Sequence, residues 1–168
     1  SLLPQDIALQ NPVLMSGKPF YVFPKIGQIV VMLDQNGDEN YQPMVVPIDG
    51  GFPEEAFPGK LGNYRSHLEH CDSENNILYI SAESREDATI DALQGRLSEK
   101  PELTKLASSQ WGNIGGDSEF VSAVNKTHTQ AALIEGYTAG DHVLSLWEAE
   151  KAELTHLYGV PLERSEEH

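Results

Sequence analysis

Few residues in this chain have the type and spacing that chemistry requires. A serine nucleophile on a strained strand-to-helix elbow needs Gly-x-Ser-x-Gly, because bulky flanks clash there. The nearest approach is Gly116-Asp-Ser-Glu-Phe120, where Phe120 occupies the second glycine position. The segment also precedes an apolar, strand-like run rather than a helix. Ser118 therefore reads as a turn residue, and no catalytic residue is expected. Six histidines and 26 acidic residues supply the parts of a triad, but without a nucleophile elbow they specify no reaction.

Metal ligation fares no better. Asp34, Asn36, Asp38 and Asn40 place oxygen donors at alternate positions, as a calcium loop does. Such a loop also needs glycine sixth and a bidentate glutamate twelfth; here those positions hold Glu39 and Val45. The stretch reads as a hairpin turn. His67, His70 and Cys71 carry ligand atoms, but on a regular strand residues i and i+3 point to opposite faces, so the cluster splits. Zinc needs further ligands nearby. Neither a metal nor another cofactor is expected. His128 and His142 read as loop and hairpin residues flanking one strand.

Cys71 is the one cysteine, so the chain forms no internal disulfide, which fits a reducing compartment and a cytoplasmic location. It reads as a small, half-buried strand residue rather than a nucleophile. Trp111, Trp147, Tyr79 and Tyr137 read as core packing rather than a binding platform. Asn125-Lys-Thr127 matches a glycosylation sequon, a short motif frequent by chance.

Charge and hydropathy narrow the partners. The net charge is −15, from 26 acidic and 11 basic residues. That field repels phosphate backbones and argues against nucleic-acid binding. Apolar runs fall far short of the roughly 20 residues needed to span a bilayer. The start, Ser1-Leu-Leu-Pro-Gln-Asp, lacks a basic region and a long apolar stretch, so it does not read as a signal peptide. It also lacks methionine, as expected of a processed or cut chain.

The elements that would position any site are short strands, and they come in three sets. Residues 1–19 read as irregular, with Pro4, Pro12, Gly17 and Pro19. Then Phe20-Tyr-Val-Phe23 precedes Gln28 to Asp34, a near-continuous apolar run expected of a strand buried on both faces. A turn around Asn36-Gly37 leads into Tyr41 to Asp49, which Pro43 and Pro47 push toward an edge or outer position. The second set runs through Tyr64 to His70, Ile77 to Ser81, Ala88 to Leu93 and Leu103 to Leu106. The third runs through Phe120 to Val124, Ala131 to Tyr137, His142 to Glu148 and Leu154 to Leu157. Glu86 to Leu97 and Trp147 to Tyr158 contain helix formers, yet their placement after hairpin turns favours strands. The inner hairpins recur roughly every 50 residues, which is the arithmetic of a propeller blade. The expected fold is all-β, an incomplete propeller of about three four-stranded antiparallel blades at residues 20–60, 61–108 and 109–160. A charged tail follows at 161–168.

These residues resemble a known family. Leu33-Asp-Gln-Asn-Gly-Asp-Glu-Asn-Tyr-Gln42, followed by Val45-Val-Pro-Ile-Asp-Gly-Gly51, looks like a blade of the N-terminal β-propeller region of the prolyl oligopeptidase family. The acylaminoacyl-peptidase and dipeptidyl-peptidase-like branch is the nearest. Ala139-Gly-Asp-His-Val-Leu-Ser-Leu-Trp147 is similar to a hairpin of the same propellers. The resemblance covers residues 20–160, and related patterns occur in propellers of periplasmic translocation proteins and oligogalacturonate-lyase-like enzymes. It implies a larger serine peptidase in which a propeller of about seven blades caps an α/β-hydrolase domain. The propeller would gate peptide access and shape the cavity, while the downstream hydrolase domain carries the triad. Three blades do not close a ring, so the expected partner is that catalytic domain in a longer chain or, alternatively, a second copy. A binding module that completes its ring by oligomerisation is the competing reading. A propeller lyase is a third, for which the sequence offers no convergent cluster.

Overall fold

The computed structural model describes residues 7–9, 20–35, 40–84, 86–110, 120–138 and 141–159. It is all-β, 62% strand and 2% helical, so sheets alone must position any site. Thirteen strands are described: β1 (Ile7–Leu9), β2 (Phe20–Phe23), β3 (Gln28–Gln35), β4 (Gln42–Pro47), β5 (Glu54–Glu55), β6 (Tyr64–Asp72), β7 (Ile77–Ser84), β8 (Thr89–Arg96), β9 (Glu102–Gln110), β10 (Val121–Val124), β11 (Gln130–Thr138), β12 (Asp141–Glu148) and β13 (Thr155–Tyr158). They form three antiparallel sheets in chain order, and none closes on itself.

The second and third sheets are simple four-stranded meanders, β6-β7-β8-β9 and β10-β11-β12-β13. The first has the same depth, but two short strands share its first position. β2 pairs with the start of β3, and β1 pairs with its end. β1 lies within the stretch that its prolines and glycine mark as irregular. Neither segment rich in helix formers is helical: the first is a turn followed by β8, which pairs along its whole length with β7, and the second holds the end of β12, a turn and the short β13, which pairs with β12 through a register shift.

Its prolines suggested an edge or outer position for β4, and the strand takes a place next to the edge, flanked on the outside by the two-residue β5. Alternate N–H groups of a strand point to opposite sides. The Pro43 carbonyl accepts from Ala56 N at 3.0 Å, which places Pro43 and, by parity, Pro47 on the β5 side. Their missing donors therefore leave the β3 ladder whole, and six residue pairs connect β3 to β4. The loss falls on the outer side, where β5 pairs over only two residues.

The sheets stack face to face through two apolar clusters. Between the first and second sheets lie Phe23, Val30, Val45, Phe57, Leu61, Leu78 and Ile80. Between the second and third lie Ile77, Tyr79, Ile90, Leu106, Phe120, Leu133 and Trp147. Both sides of β7 are thus buried: Leu78, Ile80 and Ala82 face one neighbour, and Ile77 and Tyr79 the other. A third cluster, Ile29, Val31, Leu33, Met44 and Val46, is buried on the far side of the first sheet. The corresponding far side of the third sheet is only half-buried at Ala132, Ile134, Leu144 and Leu146.

Candidate functional site

The constellation that most resembles chemistry lies between the second and third sheets. The turn from β10 to β11 carries His128 into the facing sheet, where it is 7% exposed. Its backbone is left-handed, with φ 58°, a region that histidine enters more readily than most residues. Asn125 builds the turn. Its Oδ1 accepts from the backbone N–H groups of Thr129 and Gln130, and its Nδ2 donates to the Thr127 and Thr129 hydroxyls. The amide of the sequon is thus part of the scaffold that presents His128.

Three residues of the second sheet receive the imidazole. Nε2 lies 2.6 Å from Asp72 Oδ2 at the end of β6, and Nδ1 lies 2.9 Å from the Tyr79 hydroxyl on β7. Gln94 on β8 donates from Nε2 to the Tyr79 oxygen and to the His128 carbonyl. Hydrogen-bond counting assigns the tautomer. Nε2–H donates to the carboxylate, the Tyr79 hydroxyl donates to Nδ1, and Gln94 donates to the phenol oxygen. In this assignment both ring nitrogens and the phenol oxygen have partners.

A hydroxyl, an imidazole and a carboxylate in line have the form of a relay, yet the environment opposes catalysis. Tyr79 is 1% exposed, and desolvation raises its phenol above the ordinary range, with the Asp72 charge adding to the effect. A nucleophile requires the opposite shift. Asp72 is held down to about 2, first by the His128 hydrogen bond and then by Asn75. The arrangement works as a polar joint between sheets.

A second joint lies beside it. A β-bulge at Glu69 interrupts the β6–β7 register between Leu68 and His70 and re-aims the carboxylate toward the third sheet. Glu69 accepts from Phe120 N at 3.1 Å and from Val121 N at 2.8 Å, using both oxygens. His70 Nε2 donates to the Val121 carbonyl at 2.8 Å. These side chains satisfy backbone groups that β10 directs away from β11. On the same interface the Ser109 hydroxyl donates to the Glu135 carboxylate.

The bulge also corrects the expected separation of His67, His70 and Cys71. His67 pairs with Ser81 and His70 with Tyr79, so the two histidines share the face toward the third sheet. Cys71 pairs with Leu78 and packs on the opposite face. The histidines still do not converge, because His67 lies 2.6 Å from Glu83 while His70 bonds Val121. Burial pushes the Cys71 thiol up to about 12, which leaves it protonated and unreactive. Among the described residues no group of three or more His, Cys, Asp or Glu side chains is placed to hold a metal.

Of the remaining sequence candidates, Tyr79 and Trp147 pack in the inter-sheet core, and His142 is exposed on β12. Asp34 is buried at the end of β3. Ser118, Trp111, Asn36, Asp38 and the side chain of Tyr137 lie outside the described residues. Sequence reasoning missed Glu69, Asp72 and Gln94 and took His128 for an ordinary loop residue. The dense turn motif Asn125-Lys-Thr-His-Thr129 was the one available signal.

No known family model and no curated protein sequence matches this chain. No helix among the described residues is long and apolar enough to cross a membrane.

Proposed function

We propose that this chain is a non-catalytic β-propeller segment that gates peptide access and shapes the substrate cavity of a prolyl-oligopeptidase-like serine peptidase. The observation that carries the reading is the succession of three antiparallel meanders, each packed face to face on the next in chain order. Blades of a propeller are built and ordered in this way. Among the described residues, the relay-like constellation of Tyr79, His128 and Asp72 is held in an inter-sheet joint, in keeping with a structural rather than a catalytic role for these sheets. A second reading is a free-standing interaction module that completes its ring with a second copy. The half-buried aliphatic far side of the third sheet favours it, since closure would cover that surface.

The open reading frame separates the two. Further four-strand units after His168, followed by Gly-x-Ser-x-Gly, support the peptidase reading. A gene ending at His168 rejects it, and light scattering then decides for or against the ring of two copies. A serine-directed fluorophosphonate leaves the chain unlabelled if it is non-catalytic. Labelling at Ser118 would overturn that assignment.

A further inference from the structure

The two inter-sheet joints differ in the carboxylate contacts that cross them. Three carboxylates carry contacts across the interface between the second and third sheets: Glu69 on the start of β10, Asp72 on His128, and Glu135 on Ser109. Glu69 accepts with both oxygens, which suits the ionised form. Across the interface between the first and second sheets, the described polar contacts are Ser66 N to the Tyr41 carbonyl at 2.9 Å and the exposed Lys25–Glu74 pair. The apolar cluster around Phe57 and Leu78 fills the centre of that interface, and by alternation with Val30 the buried Asp34 carboxylate lies on the same face at the end of β3.

We propose that the third sheet is an acid-releasable flap, which detaches from the second sheet as a unit while the first and second sheets remain stacked. The titratable and charged groups facing this interface support that order. β6 supplies Arg65, His67, Glu69, His70 and Asp72, β7 supplies Tyr79 and Glu83, β8 supplies Arg96 and β9 supplies Glu102. From the third sheet come His128, Glu135 and, on the same face of β13, the exposed His156. Protonating Asp72 removes the charged partner of His128. The sign for Asp72 is clear, since its folded value lies at about 2 against an ordinary value of 3.8. Its contribution is complete above the unfolded value and is lost as pH falls from there through about 2. On the other side of the stack, the buried carboxylate is Asp34 at the end of β3.

Pulsed hydrogen exchange of the full chain tests the proposal, stepping from pH 7 to pH 2 and correcting for intrinsic exchange rates. The expected result is loss of protection in residues 121–158 at a pH about one unit above the loss in 28–47 and 77–84. Coincident loss, or earlier loss in the first sheet, overturns it. In a Trp111→Phe chain, Trp147 becomes the sole tryptophan and reports this interface. Its emission is expected to shift before the far-ultraviolet dichroism falls; a single shared transition overturns the proposal. Asp72→Asn keeps an acceptor for Nε2–H but does not titrate. Its Trp147 transition is expected to take up about one proton fewer, and unchanged steepness rejects the role of Asp72.

Discussion

The two inter-sheet interfaces solve the same problem with different chemistry. The first is shape-driven: Phe57 sits on the second sheet so closely that a Cβ at Gly95 would lie 2.5 Å from its Cζ. The second has an apolar centre of similar kind, but half-buried carboxylate acceptors and a buried imidazole surround it. Packing of the first kind draws its stability from contacts that carry no charge, so the Phe57 contact itself is expected to be indifferent to pH. Joints of the second kind fix register through directional bonds and depend on the ionisation of their acceptors. One molecule thus contains a joint built for permanence and a joint that solvent conditions reach.

If the first interface rests on shape, Phe57→Ala produces the largest loss. Removing a ring that is 2% exposed leaves a cavity and costs about 3–5 kcal/mol. Urea denaturation measures it, and the loss is expected to be the same at pH 7 and pH 5. A pH-dependent loss would mean that the interface contains charge chemistry after all. Gly95→Ala approaches the same contact from the other side. The added methyl meets Phe57 and Leu78, and the expected cost is about 1–3 kcal/mol. Since both substitutions act on one contact, the double variant should cost less than the sum.

This contrast also explains what the sequence disclosed. Gln28 to Asp34, Ile77 to Ser81 and Ala131 to Tyr137 announced themselves as strands, because apolar runs between turn residues are a local property. The order of strands followed from short connections. The prolines of β4 left an edge and an outer position both open, because sequence shows that a donor is missing but not which side of the strand lacks it. The joints lay beyond reach for a different reason. His128 meets Tyr79 across 49 residues and Asp72 across 56. The bulge at Glu69 reverses the face assignment that strict alternation gives. Apolar packing leaves a periodic trace along the chain, whereas a polar joint is written in single residues far apart.

Glu69→Ala tests the second interface at its most exacting point. The N–H groups of Phe120 and Val121, on residues that are fully buried, lose their acceptor together. The expected cost is about 2–3 kcal/mol. Hydrogen exchange should place the loss in β10 and β11 and leave β3 and β4 protected. Equal loss of protection in the first sheet would show that the two interfaces are energetically one, and the distinction between them would fail.

The smallest effect sharpens the comparison by marking what a polar contact needs in order to matter. Lys25 reaches from the first sheet to the Glu74 carbonyl at 2.8 Å and lies 3.8 Å from its carboxylate. On paper this is a charge-assisted tie between sheets, like Asp72 to His128. The side chains are, however, 58% and 81% exposed. Water competes for both partners, salt screens them, and holding two long side chains in place costs entropy. Lys25→Ala is therefore expected to change stability by less than about 0.5 kcal/mol, with that difference vanishing in 1 M salt. A loss comparable to that of Glu69→Ala would show that bond count, rather than burial, decides the strength of a joint. The first interface would then owe its stability to polar ties as well.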